Sequence, residues 1–155
     1  MKLVDGFMFY NEFDMLSLRF RELYDTVDYF VLVESARTFA GNEKELLFYK
    51  YKHRFEEYLD KVIHIMVVDS PHSTNSKNES LAFENEFYQR RSIDDGIRNL
   101  PLNDDDLIMI SDCDEIGDPE TLQKIKQEGL DDTSALRMDM YNYNLECKGK
   151  GWFKA

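Results

Sequence analysis

The stretch Asp104–Leu122, DDDLIMISDCDEIGDPETL, runs from acidic residues into an apolar segment, Leu107–Ile110, and straight on into Asp112-Cys113-Asp114-Glu115. A helix start follows at once, with Asp118 as N-cap, Pro119 at the first helical position and Glu120 in the first turn. Strand, polar turn and helix in that order form one unit of an alternating α/β chain.

The rest of the chain repeats the pattern. Strands are expected at Lys2–Tyr10, Tyr29–Glu34, Val62–Val68, Asp106–Ser111 and Ala135–Leu145. The second to fourth are largely continuous apolar runs, as in strands covered on both faces. Helical spacing of Leu16, Phe20, Leu23 and Val27 marks a first helix, and Leu46–Tyr58 a second. A longer helix from about Ala82 to Asn99 would turn Phe83, Phe87, Ile97 and Leu100 to the core. The β-α-β-α-β-α-β order predicts an α/β fold, a mostly parallel central sheet flanked by helices, with right-handed crossovers. Ligands of such sheets bind beyond the carboxyl ends of the strands, so Glu34, Val68 and Ser111 should lead into one edge. The polar run Ser70–Ser80 reads as a loop over that edge. With 155 residues and 43% hydrophobic content, the chain reads as a single domain spanning 1–155.

Charge narrows the partners. Asp and Glu number 31 against 19 Lys and Arg, a net charge of −12, which disfavours nucleic acid. Cys113 and Cys147 have no CxxC spacing and read as free thiols of a reducing compartment. The start Met1-Lys2-Leu3-Val4-Asp5 does not resemble a signal peptide and no apolar run is long enough to span a membrane, so a cytoplasmic location is expected.

In an extended segment Asp112 and Asp114 point to the same side, with Glu115 opposite. Two such carboxylates stay ionised beside a cation, and oxygen-only ligands suit Mn²⁺ or Mg²⁺ carrying a diphosphate. The same residues would also serve as a solvated acidic turn that starts a helix. Arg90 falls on the apolar face of its expected helix, where it needs an anion: a diphosphate at the cleft or a structural carboxylate. Arg91 reads as a surface charge. Glu34, at the end of the second strand, and Arg37, Thr38 and Asn42 after it are placed either to contact a ligand or to end the strand. His53, His64 and His72 lack ligand spacing. Cys113, between two carboxylates, should have a raised thiol pKa.

The blocks DGFMFYNEFDMLSLRFRELYDTVDYFVLVESARTFAG, ENEFYQRRSIDDGI, DDDLIMISDCDEIGDP and YNYNLECK, in that order, resemble glycosyltransferase family 17. The resemblance implies a GT-A-like nucleotide-sugar-binding fold. It also implies metal-dependent, inverting transfer from a UDP-sugar, UDP-GlcNAc by analogy with the family, to a glycan acceptor hydroxyl. Carried over by position, Asp112 and Asp114 are the D-x-D: Asp114 the direct metal ligand, Asp112 nearer the ribose and the metal's waters. Glu115 completes the D-x-D-E-I block, and Glu34, Arg37 and Arg90 face the donor. Gly117 stands where many relatives have proline. The family's Golgi members carry an N-terminal anchor that this chain lacks, which suggests a bacterial or viral enzyme.

Relatives also continue past NLECKGKGWFKA, so acceptor contacts and the general base that inverting transfer needs are expected in that missing part, and no catalytic residue is assigned. Asp139 is expected in a surface or strand-pairing role. Donor binding without transfer is the alternative. A haloacid-dehalogenase-like phosphatase, which also uses a D-x-D, fits less well, because its motif lies on the first strand and Ile116 occupies the position of a small hydroxyl or valine. Trp152 and Phe153 near the end are expected to fold back on the sheet or to bury in a homodimer.

Overall fold

A computed structural model describes residues 1–72, 79–141, 144 and 146–149, and the backbone of 152–154. Four strands, β1 (Leu3–Phe9), β2 (Tyr29–Ser35), β3 (Val62–Val67) and β4 (Leu107–Asp112), form one sheet in the order β3-β2-β1-β4. Every pairing is parallel. The expected α/β architecture is therefore present, and its strand order carries the functional consequence. The chain steps outward from β1 to β3 and then returns to the far side of β1, so a crevice opens beyond the carboxyl ends of β1 and β4.

One face of the sheet is aromatic. Phe7 and Phe30 pack against Phe20 of α1 (Phe13–Leu23), with ring centroids 6.4 and 5.0 Å apart, and Leu16 and Leu23 complete the buried stripe of that helix. Val27, expected at its end, is buried in the turn beyond it. The region expected as one helix from Leu46 to Tyr58 divides into α2 (Leu47–Tyr51) and a 3-10 segment, Lys52–Lys61, kinked at Phe55. Phe55 lies 5.9 Å from Phe48 and 5.7 Å from Phe20, so ring packing there overrides α-helical continuity.

The opposite face is aliphatic. Val4, Val31, Val33 and Val67 meet Ile93 of α4 (Ile93–Ile97). Close approach needs glycine on both sides: a Cβ on Gly96 would stand 2.4 Å from Val31 Cγ1, and one on Gly6 2.6 Å from Ile93 Cγ2.

The helix expected over Ala82–Asn99 is two helices, α3 (Glu79–Arg91) and α4, parted at Ser92. Its expected core face holds in its second half, where Ile97 and Leu100 pack against the aliphatic cluster, and is corrected in its first. Phe83 and Phe87 are 66% and 62% exposed, and the buried residues of α3 are Asn85 and Gln89. That face is polar because it meets loop backbone. Asn85 Nδ2 donates to the carbonyls of Phe39 and His72, at 2.9 and 3.0 Å, and Gln89 Nε2 to that of Arg37 at 3.2 Å.

Two strand expectations also change. β2 is covered on both faces, but β3 and β4 are edge strands, and Ile108 and Ile110 of β4 are 49% and 42% exposed. Among its described residues, the segment expected as a strand from Ala135 to Leu145 yields one named strand, β5 (Leu136–Met138), which pairs antiparallel with β6 (Trp152–Lys154) outside the main sheet. The expectation about the Trp152 and Phe153 side chains falls outside the described residues, as does most of the Ser70–Ser80 loop. Helix α5 (Pro119–Glu128) starts as read: Asp118 Oδ2 accepts from the Thr121 amide at 2.8 Å. No described helix is long and apolar enough to cross a membrane.

Candidate functional site

The acidic turn begins where β4 ends, in register with β1: Asp112 is level with Met8 and Ser111 with Phe7. The Glu115 amide donates to the Asp112 carbonyl at 3.0 Å, and Glu115 Oε2 accepts from the Asp112 amide at 2.9 Å. Glu115 thus closes the turn. Asp112 and Asp114 line the crevice on its two sides, where the topology predicts a ligand.

Beneath the turn lies a feature absent from the sequence reading. Arg19 of α1 and Asp5 of β1 form a fully buried, bidentate pair: Nη2–Oδ1 is 2.6 Å and Nε–Oδ2 2.8 Å. The remaining donors of Arg19 go to the turn. Nη1 donates to the carbonyls of Asp112, Cys113 and Glu115 at 2.8, 3.2 and 3.1 Å, and Nη2 to Ser111 Oγ at 2.7 Å. The guanidinium also lies over the Phe7 ring, 4.4 Å from its centroid. Burial is the largest influence and opposes its charge, but Asp5, by charge and hydrogen bond, together with Cys113 and Glu115 more than offsets it, and the net effect raises the Arg19 pKa. Two signals were legible: an aspartate inside the apolar run LVDGFMF, and an arginine on the stripe of Leu16, Phe20 and Leu23.

A groove of about 610 Å³ runs from the turn along the end of β1 to the loop after β2. Its walls include Phe9, Tyr10, Phe39, Arg37, Lys44, Gln89, Asp112 and Asp114. The volume falls within the range of small-molecule sites. Lys44, missed in the sequence, sits 5.1 Å from the Tyr10 ring centroid, and burial lowers its pKa although Glu34 and Glu12 pull the other way. Arg37 is braced by the Gly41 carbonyl at 3.1 Å and Glu43 at 3.2 Å. Arg37, Asp112 and Asp114 are therefore brought together around one groove.

Glu34 is not among them. It is 0% exposed, and its oxygens accept from the amides of Phe48 and Tyr49, at 2.7 and 3.1 Å, in the first turn of α2. His64 Nε2 lies 3.2 Å from Glu34 Oε2 but out of line for a hydrogen bond. The expectation that Glu34 faces the cleft is corrected: its place is under α2, where it caps the helix.

Arg90, expected to need either a diphosphate or a structural carboxylate, bridges two carboxylates, Asp112 Oδ1 at 2.9 Å and Glu86 Oε1 at 3.1 Å. Cys113 is buried and Cys147 exposed, both as free thiols. Burial, rather than the neighbouring carboxylates, chiefly pushes the Cys113 thiol up to about 12, and Arg19 acts against it. Asp139 pairs with Lys148 at 2.6 Å on the surface, in keeping with its expected role.

The donor set suits a hard divalent cation only of one kind. Asp114 is exposed with no partner among the described residues, while Asp112 is shared with Arg90. No described cluster offers three or more His, Cys, Asp or Glu ligands. A cation that keeps several waters and takes its other ligands from phosphates fits two carboxylates, and an all-protein cage does not.

On the far side of the turn a second groove of about 1340 Å³ is lined by Leu18, Ile116, Thr121, Arg137, Asp139 and Tyr141, among others, and again by Asp112 and Asp114. The acidic turn is a ridge between two open troughs.

No solved structure matches the chain significantly. Among curated proteins, β-1,4-mannosyl-glycoprotein 4-β-N-acetylglucosaminyltransferase of Rattus norvegicus is 30% identical over 118 residues, 74% of this chain and 21% of that protein. The Homo sapiens protein of the same name is 32% identical over 109 residues, 68% of this chain and 20% of its own length. The chain thus spans about a fifth of the curated relatives it matches. The sequence profile of glycosyltransferase family 17 matches residues 1–153, so the ordered blocks around the parallel sheet and its acidic turn mark this chain as a member of that family.

Proposed function

We propose that the groove between β1, the β2–α2 loop and α3 binds a UDP-sugar, UDP-GlcNAc by analogy with the named relatives, and that the sugar is passed with inversion to a glycan hydroxyl. The observation that carries this reading is the acidic turn at the switch point of the sheet, set between two troughs. A donor on one side and an acceptor on the other would meet above Asp112 and Asp114. Asp114 would hold a Mn²⁺ or Mg²⁺ ion with Asp112 beside it, and the ion would supply counter-charge to the diphosphate and its leaving group. Lys44 and Arg37 add positive charge on the groove side of an otherwise acidic chain, and Tyr10 and Phe39, both exposed, offer ring faces to a nucleobase. Arg90 keeps Asp112 from standing as an uncompensated charge.

The test is calorimetric titration of UDP and UDP-GlcNAc with Mn²⁺, with Mg²⁺ and with a chelator, followed by UDP release in the presence of a mannose-containing glycan acceptor. Metal-dependent binding with acceptor-dependent release supports transfer. Binding without release assigns donor binding alone, and binding indifferent to the chelator removes the metal from the account.

A further inference from the structure

We infer that Arg19, anchored on Asp5, is a positioning residue that fixes the shape of the Asp112–Glu115 turn and thereby the placement of the Asp112 and Asp114 carboxylates. The inference deepens the donor-site reading and rests on it for the identity of the ligand. Its own support is geometric. The Asp112, Cys113 and Glu115 carbonyls converge on one nitrogen, Arg19 Nη1, at 2.8–3.2 Å, and Ser111 Oγ on Nη2. Asp5 takes Nε and Nη2, so every polar edge of the guanidinium has an acceptor.

A buried ion pair is a costly way to hold two elements together, because well-packed apolar side chains do so as well or better. What apolar side chains cannot do is gather three carbonyl oxygens onto one point. A lysine cannot do so while also pairing both oxygens of Asp5 and meeting Ser111 Oγ, since a single ammonium has three donors and no planar fork. The pair, fully buried on both side chains, sits on β1 and α1, while Asp114 is exposed. Rigidity is carried from the core to a solvent-facing turn, which matters because misplaced ligand oxygens lose affinity for a small cation that demands regular geometry.

The experiment compares the wild-type chain with Arg19→Met/Asp5→Leu and with Arg19→Lys, each in a Cys147→Ser background so that Cys113 is the single thiol. Circular dichroism selects the variants that fold. If the apolar pair does not fold, the lysine variant, which keeps the charge opposite Asp5, carries the test. Two readouts follow: the rate at which N-ethylmaleimide labels Cys113, which reports turn opening without any ligand, and Mn²⁺-dependent affinity for UDP. Expected in a folded variant is labelling at least several-fold faster. Affinity should fall about 10- to 100-fold, the range seen when groups that orient metal ligands are removed.

Unchanged labelling overturns the inference, because the turn then keeps its shape without Arg19. Faster labelling with unchanged UDP affinity overturns it too, because the shape then has no bearing on the ligand. A wild-type chain that binds neither Mn²⁺ nor UDP refutes the donor-site reading instead, and the labelling rates still decide whether Arg19 holds the turn.

Discussion

Replacing Glu34 with glutamine separates a ligand-binding carboxylate from a structural one. In the structure both oxygens of Glu34 accept amides of α2, from Phe48 at 2.7 Å and Tyr49 at 3.1 Å, in a position closed to solvent. Glutamine keeps one acceptor and turns an NH₂ group toward the other amide. One hydrogen bond to a charged acceptor is lost, about 1.5–3 kcal/mol, and a buried donor is left facing a donor, about 1–3 kcal/mol. The two effects share the same atoms and do not add in full, so about 3 kcal/mol is expected. For 155 residues the unfolding entropy is about 0.33 kcal/mol/K, which converts that loss to a fall in Tm of about 9 °C. Thermal unfolding followed by circular dichroism measures it. Metal-dependent UDP affinity, titrated well below the variant's transition, should stay within about twofold, less than 0.5 kcal/mol. A Tm within about 2 °C of wild type, roughly 0.7 kcal/mol on the same scale, together with lost UDP binding would refute the reasoning and return Glu34 to the cleft.

Asp114→Ala should abolish the metal dependence of UDP binding and leave Tm unchanged, since the exposed carboxylate supports nothing else among the described residues; calorimetry with and without Mn²⁺ checks both. Arg90→Met removes the partner of Asp112 at 2.9 Å and of Glu86 at 3.1 Å. Both carboxylates are partly exposed, so the stability change should be small, about 1 kcal/mol or less. UDP affinity should fall more clearly, and an unaltered affinity would assign Arg90 a surface ion pair only. Asp118→Ala removes the cap of α5 and should lower Tm slightly. Hydrogen bonds from Thr121 hold the Asp118 carboxyl below its ordinary value, so its contribution is present above about pH 4, the unfolded carboxylate pKa, and fades as pH falls through the lower folded one. The Tm gap between wild type and variant should therefore shrink in acid, and a gap that widens would contradict the sign.

The alternation of apolar runs with helical spacing determined the element order, and with it the parallel sheet and the edge on which the acidic turn lies. These were readable because strand and helix periodicity, the Asp118-Pro119 start and the end of each apolar run are local properties of the chain. The D-x-D position was readable for the same reason. What only the tertiary structure decided is how each polar side chain spends its charge. Glu34, at a strand end as expected, turns inward because the amides of α2 come back to it from residues 48 and 49. The apolar-looking face of α3 is exposed while Asn85 and Gln89 are buried, because that helix covers loop carbonyls, which need donors more than methyl groups. Asp5 and Arg19 lie 14 positions apart and reach a turn more than 90 positions further on. No window of sequence contains that contact: a buried charge becomes tolerable only when the fold delivers its partners, and those partners are set by strand order and crossover packing.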